Sequence, residues 1–226
     1  MSAIDNAQAT AQGSVPELRF AVERASSLEY AAVPTLKFAV RVEAVSGHPI
    51  RSILLDAQVQ IAARQRDYGP ASQERLLELF GSPERWGSTL RTLPWLRSTI
   101  VVPPFADSTV VDLLAPCTYD LEVTAARYFA ALEDGVVPLE FLFSGSVFFA
   151  TAAGALQTAR IAWNHEINFR LPIAVWKDTM ARHFPQSAWL RLGSESFDRL
   201  CAYKARHAFE SWEKTIDSLL ASRDGE

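Results

Sequence analysis

A chain of 226 residues, 49% apolar and 21% charged, is long enough to bury a sizeable core without metal or disulfide staples. Its formal net charge of −4 excludes the overall basic field that favours nucleic acid or an anionic lipid surface. With two cysteines and no apolar run near the ~20 residues of a spanning helix, it reads as a soluble cytoplasmic protein with free thiols and no membrane insertion.

Residues 1–15 are rich in Ala, Ser, Gln and Thr and lack both a basic and an apolar region, so they read as a disordered tail and not as a signal peptide. The first strand follows, with Leu18, Phe20 and Val22 on one face. A clearer one sets Leu36, Phe38, Val40, Val42 and Ala44 against Lys37, Arg41 and Glu43, the period of two of a half-buried strand. Ser46-Gly47-His48-Pro49 is expected to close a hairpin. The return strand carries Ile53, Leu55, Ala57, Val59 and Ile61 inward, with Asp56, Gln58 and Gln60 outward.

The strand pattern stops at Arg64-Gln65-Arg66-Asp67. A short helix is predicted over about 72–80, stopped by Gly81 and Pro83. Strand pattern resumes near Thr92 to Val102, so roughly 25–30 residues are inserted between two strands, long for a loop in a compact domain. Pro103-Pro104 interrupts, and a shorter strand bears Val111 and Leu113. Tyr119, Leu121, Val123 and Ala125 alternate with Asp120, Glu122 and Thr124, which predicts a strand over 118–130.

After the turn Glu133-Asp134-Gly135 comes the most apolar run of the chain, Val136 to Phe149. Its density predicts a strand buried on most of both faces. Leu139, Phe141, Phe143, Val147 and Phe149 share one face, and Leu142 and Phe148 lie on the other. Gly145 between two serines suggests a bulge or close sheet packing. Two last strand segments, 156–161 and 167–171, are separated by Trp163-Asn164-His165.

At Pro172 the pattern changes to helical. Ile173, Trp176, Met180 and Phe184 follow at helical spacing, Ser194 is a plausible cap for a second helix, and Ser211 for a third. Strands first and helices last argue for a mainly β protein with C-terminal helices. The expected architecture is an antiparallel β-sandwich of about eight strands (residues 16–171), a short helical insertion, and an α-helical appendage (172–226), all one structural unit. The C-terminal helices, with Ile173, Trp176, Met180 and Phe184, are expected to pack against or beside the Val136–Phe149 strand, as the apolar surface available to cover its second face.

Residues that carry chemistry are sparse. His48, His165, His183 and His207 show no helical metal spacing, and no cysteine pair is close in sequence, so no metal or cofactor is expected. Phe143-Ser144-Gly145-Ser146 lacks the Gly-x-Ser-x-Gly of a nucleophile elbow. Cys117 has no nearby base or basic cluster and reads as an inert thiol. Arg41, Arg51, Arg64 and Arg66 flank the first hairpin among acidic neighbours and read as solvated strand faces. Of the six tryptophans, Trp86, Trp176 and Trp189, with Phe184, are the candidate interaction surface, because Trp is enriched at binding hot spots. Packing of Trp176 and Phe184 across an open end of the sandwich is the competing reading.

Several phrases taken together carry a resemblance: Phe80-Gly81-Ser82-Pro83-Glu84-Arg85-Trp86-Gly87, Pro116-Cys117-Thr118-Tyr119-Asp120, Phe143-Ser144-Gly145, Leu171-Pro172-Ile173-Ala174-Val175-Trp176, and Phe184-Pro185 with Trp189-Leu190. Their order and spacing resemble an uncharacterised bacterial family, a domain of unknown function encoded beside actinobacterial-type NiFe hydrogenases, over about residues 17–222. The resemblance implies a context: a non-catalytic accessory protein for the maturation, assembly or docking of an uptake hydrogenase, with hydrogenase subunits or maturation factors as partners. Without Cys-x-x-Cys clusters it would not itself hold nickel or an iron–sulfur cluster. Two other readings compete. One is a sandwich binding a carbohydrate or lipid in a groove lined by Trp86, Trp95 and Trp163. The other is a hydrolase built on His165, Glu166 and Asp120.

Overall fold

The computed structural model describes residues 15–45, 49–118, 120, 123–151, 154–185, 187 and 191–221, without the side chains of Trp163 and Asn164. Residues 1–14 of the predicted tail therefore lie outside the described residues. The chain divides into two compact units, residues 1–188 and 189–226.

The first unit holds two antiparallel sheets. One has the order β1 (Leu18–Ser27), β2 (Thr35–Ala44), β5 (Ser108–Pro116). The other has the order β4 (Leu93–Val102), β3 (Ile50–Ile61), β6 (Val136–Ala150), β7 (Leu156–Pro172). The inward residues are the apolar set that alternation marks. Leu36, Phe38, Val40 and Val42 of β2, and Ile53, Leu55, Ala57, Val59 and Ile61 of β3, are wholly buried. Across the sandwich Phe38 meets the edge of Phe141, and Phe20 stacks on Phe143. β2 and β3 belong to different sheets, so these two strands do not pair as the expected hairpin. Ser46, Gly47 and His48 themselves lie outside the described residues.

Three further expectations are corrected. The predicted strand over 118–130 is instead a helix, α3 (Thr124–Ala131). Ala125, Tyr128, Phe129 and Leu132, all buried, recur at helical spacing, and this periodicity wins over the shorter alternation upstream. The two last strand segments are one strand, β7. Its pairing with β6 shifts where Ile161–His165 passes Gly145–Phe143, so the predicted interruption is a bulge within a continuous strand. The third concerns only the cover of β6: α4 (Ile173–His183) lies beside that strand, packed on β1, β2 and its neighbour β7, and not over its outer face. On that face Leu142 lies beside Gln58 and Glu166, and Phe148 beside Ser52 and Thr158. Both stay half-buried among these neighbours.

Gly145 has φ +137°, and a Cβ there would lie 2.0 Å from the Leu54 carbonyl oxygen. No other residue fits this close approach of β6 to β3.

The insertion between β3 and β4 contains α1 (Pro70–Phe80) and the one-turn α2 (Trp86–Thr89), with 3-10 turns at Ala63–Gln65 and Pro83–Arg85. As its sequence suggests, α1 stops at Gly81, where φ is +71° and the N–H donates to Leu77 O.

In the second unit α5 (Ser194–Arg206) and α6 (Trp212–Ala221) pack side by side. The cap of α5 is Gly193, not Ser194, and no side-chain cap bond forms there. Ser211 does cap α6, its Oγ accepting from the Lys214 N–H at 3.1 Å. Phe197 packs on Trp212 at 5.7 Å, with the Lys204 ammonium 5.6 Å from the Trp212 ring.

Candidate functional site

The β3–β4 insertion builds a cleft of about 520 Å3, lined by Arg64, Arg66, Asp67, Tyr68, Gln73, Trp86, Gly87 and Leu90. Its walls are set by side chains bonded to backbone carbonyls. Arg66 donates from Nη1 to Val136 O (3.0 Å), from Nη2 to Asp134 O (3.3 Å) and from Nε to Asp67 O (3.3 Å). Its guanidinium also lies 5.1 Å from the Tyr68 ring. One cation thus ties the insertion to the turn before β6. Arg66 is half-buried and engaged, unlike the solvated strand-face residue expected from the sequence, whereas Arg64 is exposed as expected.

Tyr68 donates its hydroxyl to Ala63 O at 2.7 Å, which leaves the Tyr128 hydroxyl, also at 2.7 Å, to donate to Tyr68. Burial, then the neighbouring Tyr128, pushes the Tyr68 phenol well above the usual range. Trp86 donates Nε1–H to Gly81 O at 2.8 Å and meets Tyr68 and Phe80 edge to face. Arg64 donates from Nε to Leu90 O. Ion pairs Arg127–Glu78 (2.9 Å) and Arg75–Glu133 (3.4 Å) join α1 to α3 and to the loop that follows it.

The predicted interaction residues do not share one surface. Trp86 lines this cleft, half-exposed. Trp176 is 4% exposed and stacks on Phe129 at 5.5 Å, inside the core. Phe184 is half-buried against the same core at the end of α4. Trp189 lies outside the described residues. Closure of the sandwich is therefore the role of Trp176, with Trp95 against the other side of the cluster, 4.9 Å from Phe129. Cys117 borders the same cluster, and burial pushes its thiol up to about 12.

The groove of Trp86, Trp95 and Trp163 is not assembled as drawn from the sequence. Trp86 and Trp95 line separate clefts, and the Trp163 side chain lies outside the described residues. Nor do His165 and Glu166 converge. His165 is half-buried with its ring 5.1 Å from Phe20, whereas Glu166, the next residue of β7, is exposed on the opposite face near Glu140. Asp120 belongs to the β5–α3 connection, its N–H bonded to Thr118 Oγ1. Among the described residues no group of three or more His, Cys, Asp or Glu is placed to hold a metal ion, and no helix is long and apolar enough to cross a membrane.

Sequence reasoning found Trp86 but missed the residues that line the cleft with it, Arg64, Arg66 and Tyr68. The available signal was the length of the insertion, since long ordered loops concentrate function.

The chain belongs to a family described as "Family of unknown function (DUF6084)", whose model matches residues 15–226. No curated protein matches it. Similar solved structures include a Bordetella pertussis protein given the name ApaA, 12% identical over 69% of this chain and 93% of that one, with a TM-score of 0.28. A CARDB domain from Pyrococcus furiosus in complex with di-metal ions is 11% identical over 70% of this chain and 92% of that one, with a TM-score of 0.27. At such scores they bear on neither site nor function.

Proposed function

We propose that this member of the family is a non-catalytic, cytoplasmic interaction protein that helps an uptake NiFe hydrogenase to mature, assemble or dock. The observation that carries the interaction role is the α5–α6 pair. Phe197, Trp212, Ile216 and Leu220 are 38–60% exposed, and neither helix has a buried apolar residue. Helical-period apolar residues left in water are the pattern of a face that binds another chain. Trp212 is the anchor to expect at its centre. The hydrogenase identity rests on the resemblance carried by the Phe80–Gly87, Pro116–Asp120 and Leu171–Trp176 phrases.

The test is purification of the tagged full chain from its native host while the hydrogenase is being made. A hydrogenase subunit or maturation factor should co-purify, and the triple change Phe197→Ser, Trp212→Ser, Ile216→Ser should abolish its recovery. Recovery of neither class of protein with the unaltered chain would overturn the proposal.

A further inference from the structure

We propose that the cleft of the β3–β4 insertion is a binding site for a small aromatic carboxylate, with Arg64 holding the carboxylate and Trp86 the ring. This is independent of the α5–α6 face. The first observation is charge. In a chain of net charge −4, the cleft gathers two guanidinium groups against one carboxylate, that of Asp67. An anion is therefore favoured where most of the surface would repel it.

The second is the state of Arg64. Its one described bond runs from Nε to Leu90 O, which holds the stem and leaves both Nη groups without a partner among the described residues. Those two nitrogens form the fork that matches a carboxylate bidentately. Arg66 differs, because Nη1, Nη2 and Nε each bond a backbone carbonyl. It supplies field and a rigid floor, and Arg64 supplies the contact.

The third is the aromatic wall. Trp86 is oriented by its bond to Gly81 O and by edge contacts with Tyr68 and Phe80, so its indole is set before any ligand arrives. Beside it Gly87 has nothing within 4 Å of where a Cβ would sit, so the mouth is open. About 520 Å3 suits one small molecule. Gln73 adds a polar edge, its Nε2 committed to Tyr68 O and its Oε1 available to a donor.

The test is an NMR titration of the full chain with three probes: 2-naphthoate, its neutral analogue 2-naphthalenemethanol, and inorganic phosphate. Naphthoate should shift the Trp86 indole N–H resonance saturably and bind roughly tenfold or more tightly than either other probe, as a charge-assisted pair plus ring burial requires. Arg64→Gln should reduce naphthoate affinity to that of the alcohol, and Arg64→Lys should lower it less. Arg64 is exposed and its one described bond is that to Leu90 O, so both variants should lower the melting temperature by no more than about 2–4 °C. Trp86→Phe should weaken naphthoate and leave phosphate unchanged. Naphthoate shifts confined to other resonances, phosphate binding as tight as naphthoate, or undiminished naphthoate binding by Arg64→Gln would each overturn the proposal.

Discussion

Two glycines with positive φ differ in what surrounds them. At Gly145 an added Cβ would lie 2.0 Å from Leu54 O, while at Gly135 (φ +79°) its nearest neighbour is Arg66 Nη2 at 3.7 Å. Gly135→Ala carries the backbone penalty alone, about 1–2 kcal/mol. Gly145→Ala adds overpacking against a fixed carbonyl and should cost about 3 kcal/mol or more. Urea titrations of the two variants will show the difference. Buried acids set the alkaline limit. Burial pushes Cys117 up to about 12, and burial also raises Tyr68 and Tyr128, against the opposing effect of Arg66 on both. In the unfolded chain these groups ionise near about 8.5 for the thiol and about 10 for the phenols. Above those values the unfolded state holds fewer protons than the folded one. The stability they contribute is therefore fully present below about pH 8.5 and is lost as pH rises toward the folded values. Urea midpoints should fall steadily from about pH 8.5 upward, with tyrosinate absorbance from Tyr68 and Tyr128 emerging only as the chain unfolds.

Strands β2 and β3 were legible because each buries one face, so the chain repeats an apolar residue every second position, as at Ile53, Leu55, Ala57, Val59 and Ile61. The region before β6 misled for the converse reason. Tyr119, Leu121, Val123 and Ala125 fit a strand, while Ala125, Tyr128, Phe129 and Leu132 fit a helix, and the two patterns share Ala125. Only the packing partner decides between them: Phe129 enters between Trp95 and Trp176. The cleft was barely legible, since Arg64, Arg66 and Trp86 are oriented by backbone carbonyls, which every residue possesses and no sequence marks. The same cluster yields a prediction for α4. Trp176→Ala removes a nearly buried ring stacked on Phe129 and should cost about 3–5 kcal/mol in thermal or urea unfolding. Lys177→Ala, one position on, loses a surface bond to Glu133 O and should cost less than about 1 kcal/mol.

Every buried apolar side chain among the described residues lies between Pro16 and Met180. The core therefore belongs to the first compact unit, although composition changes earlier, at Pro172, where β7 passes into α4. A fragment of residues 15–188 should accordingly unfold in one cooperative transition with a urea midpoint close to that of the full chain. A broad, non-cooperative transition would contradict a self-sufficient core. The contact at Gly145 bears on how such a core is reached. A strand pair with the apolar density of β3 and β6 offers many nearly equivalent alignments, and one-residue slips are excluded by the loss of burial on one face. Slips by two residues keep apolar against apolar. Those are rejected at the glycine, because any other residue of β6 brought opposite Leu55 in this conformation would drive its Cβ into the Leu54 carbonyl oxygen. A single missing methyl thus makes the native alignment of the two central strands the one that can close.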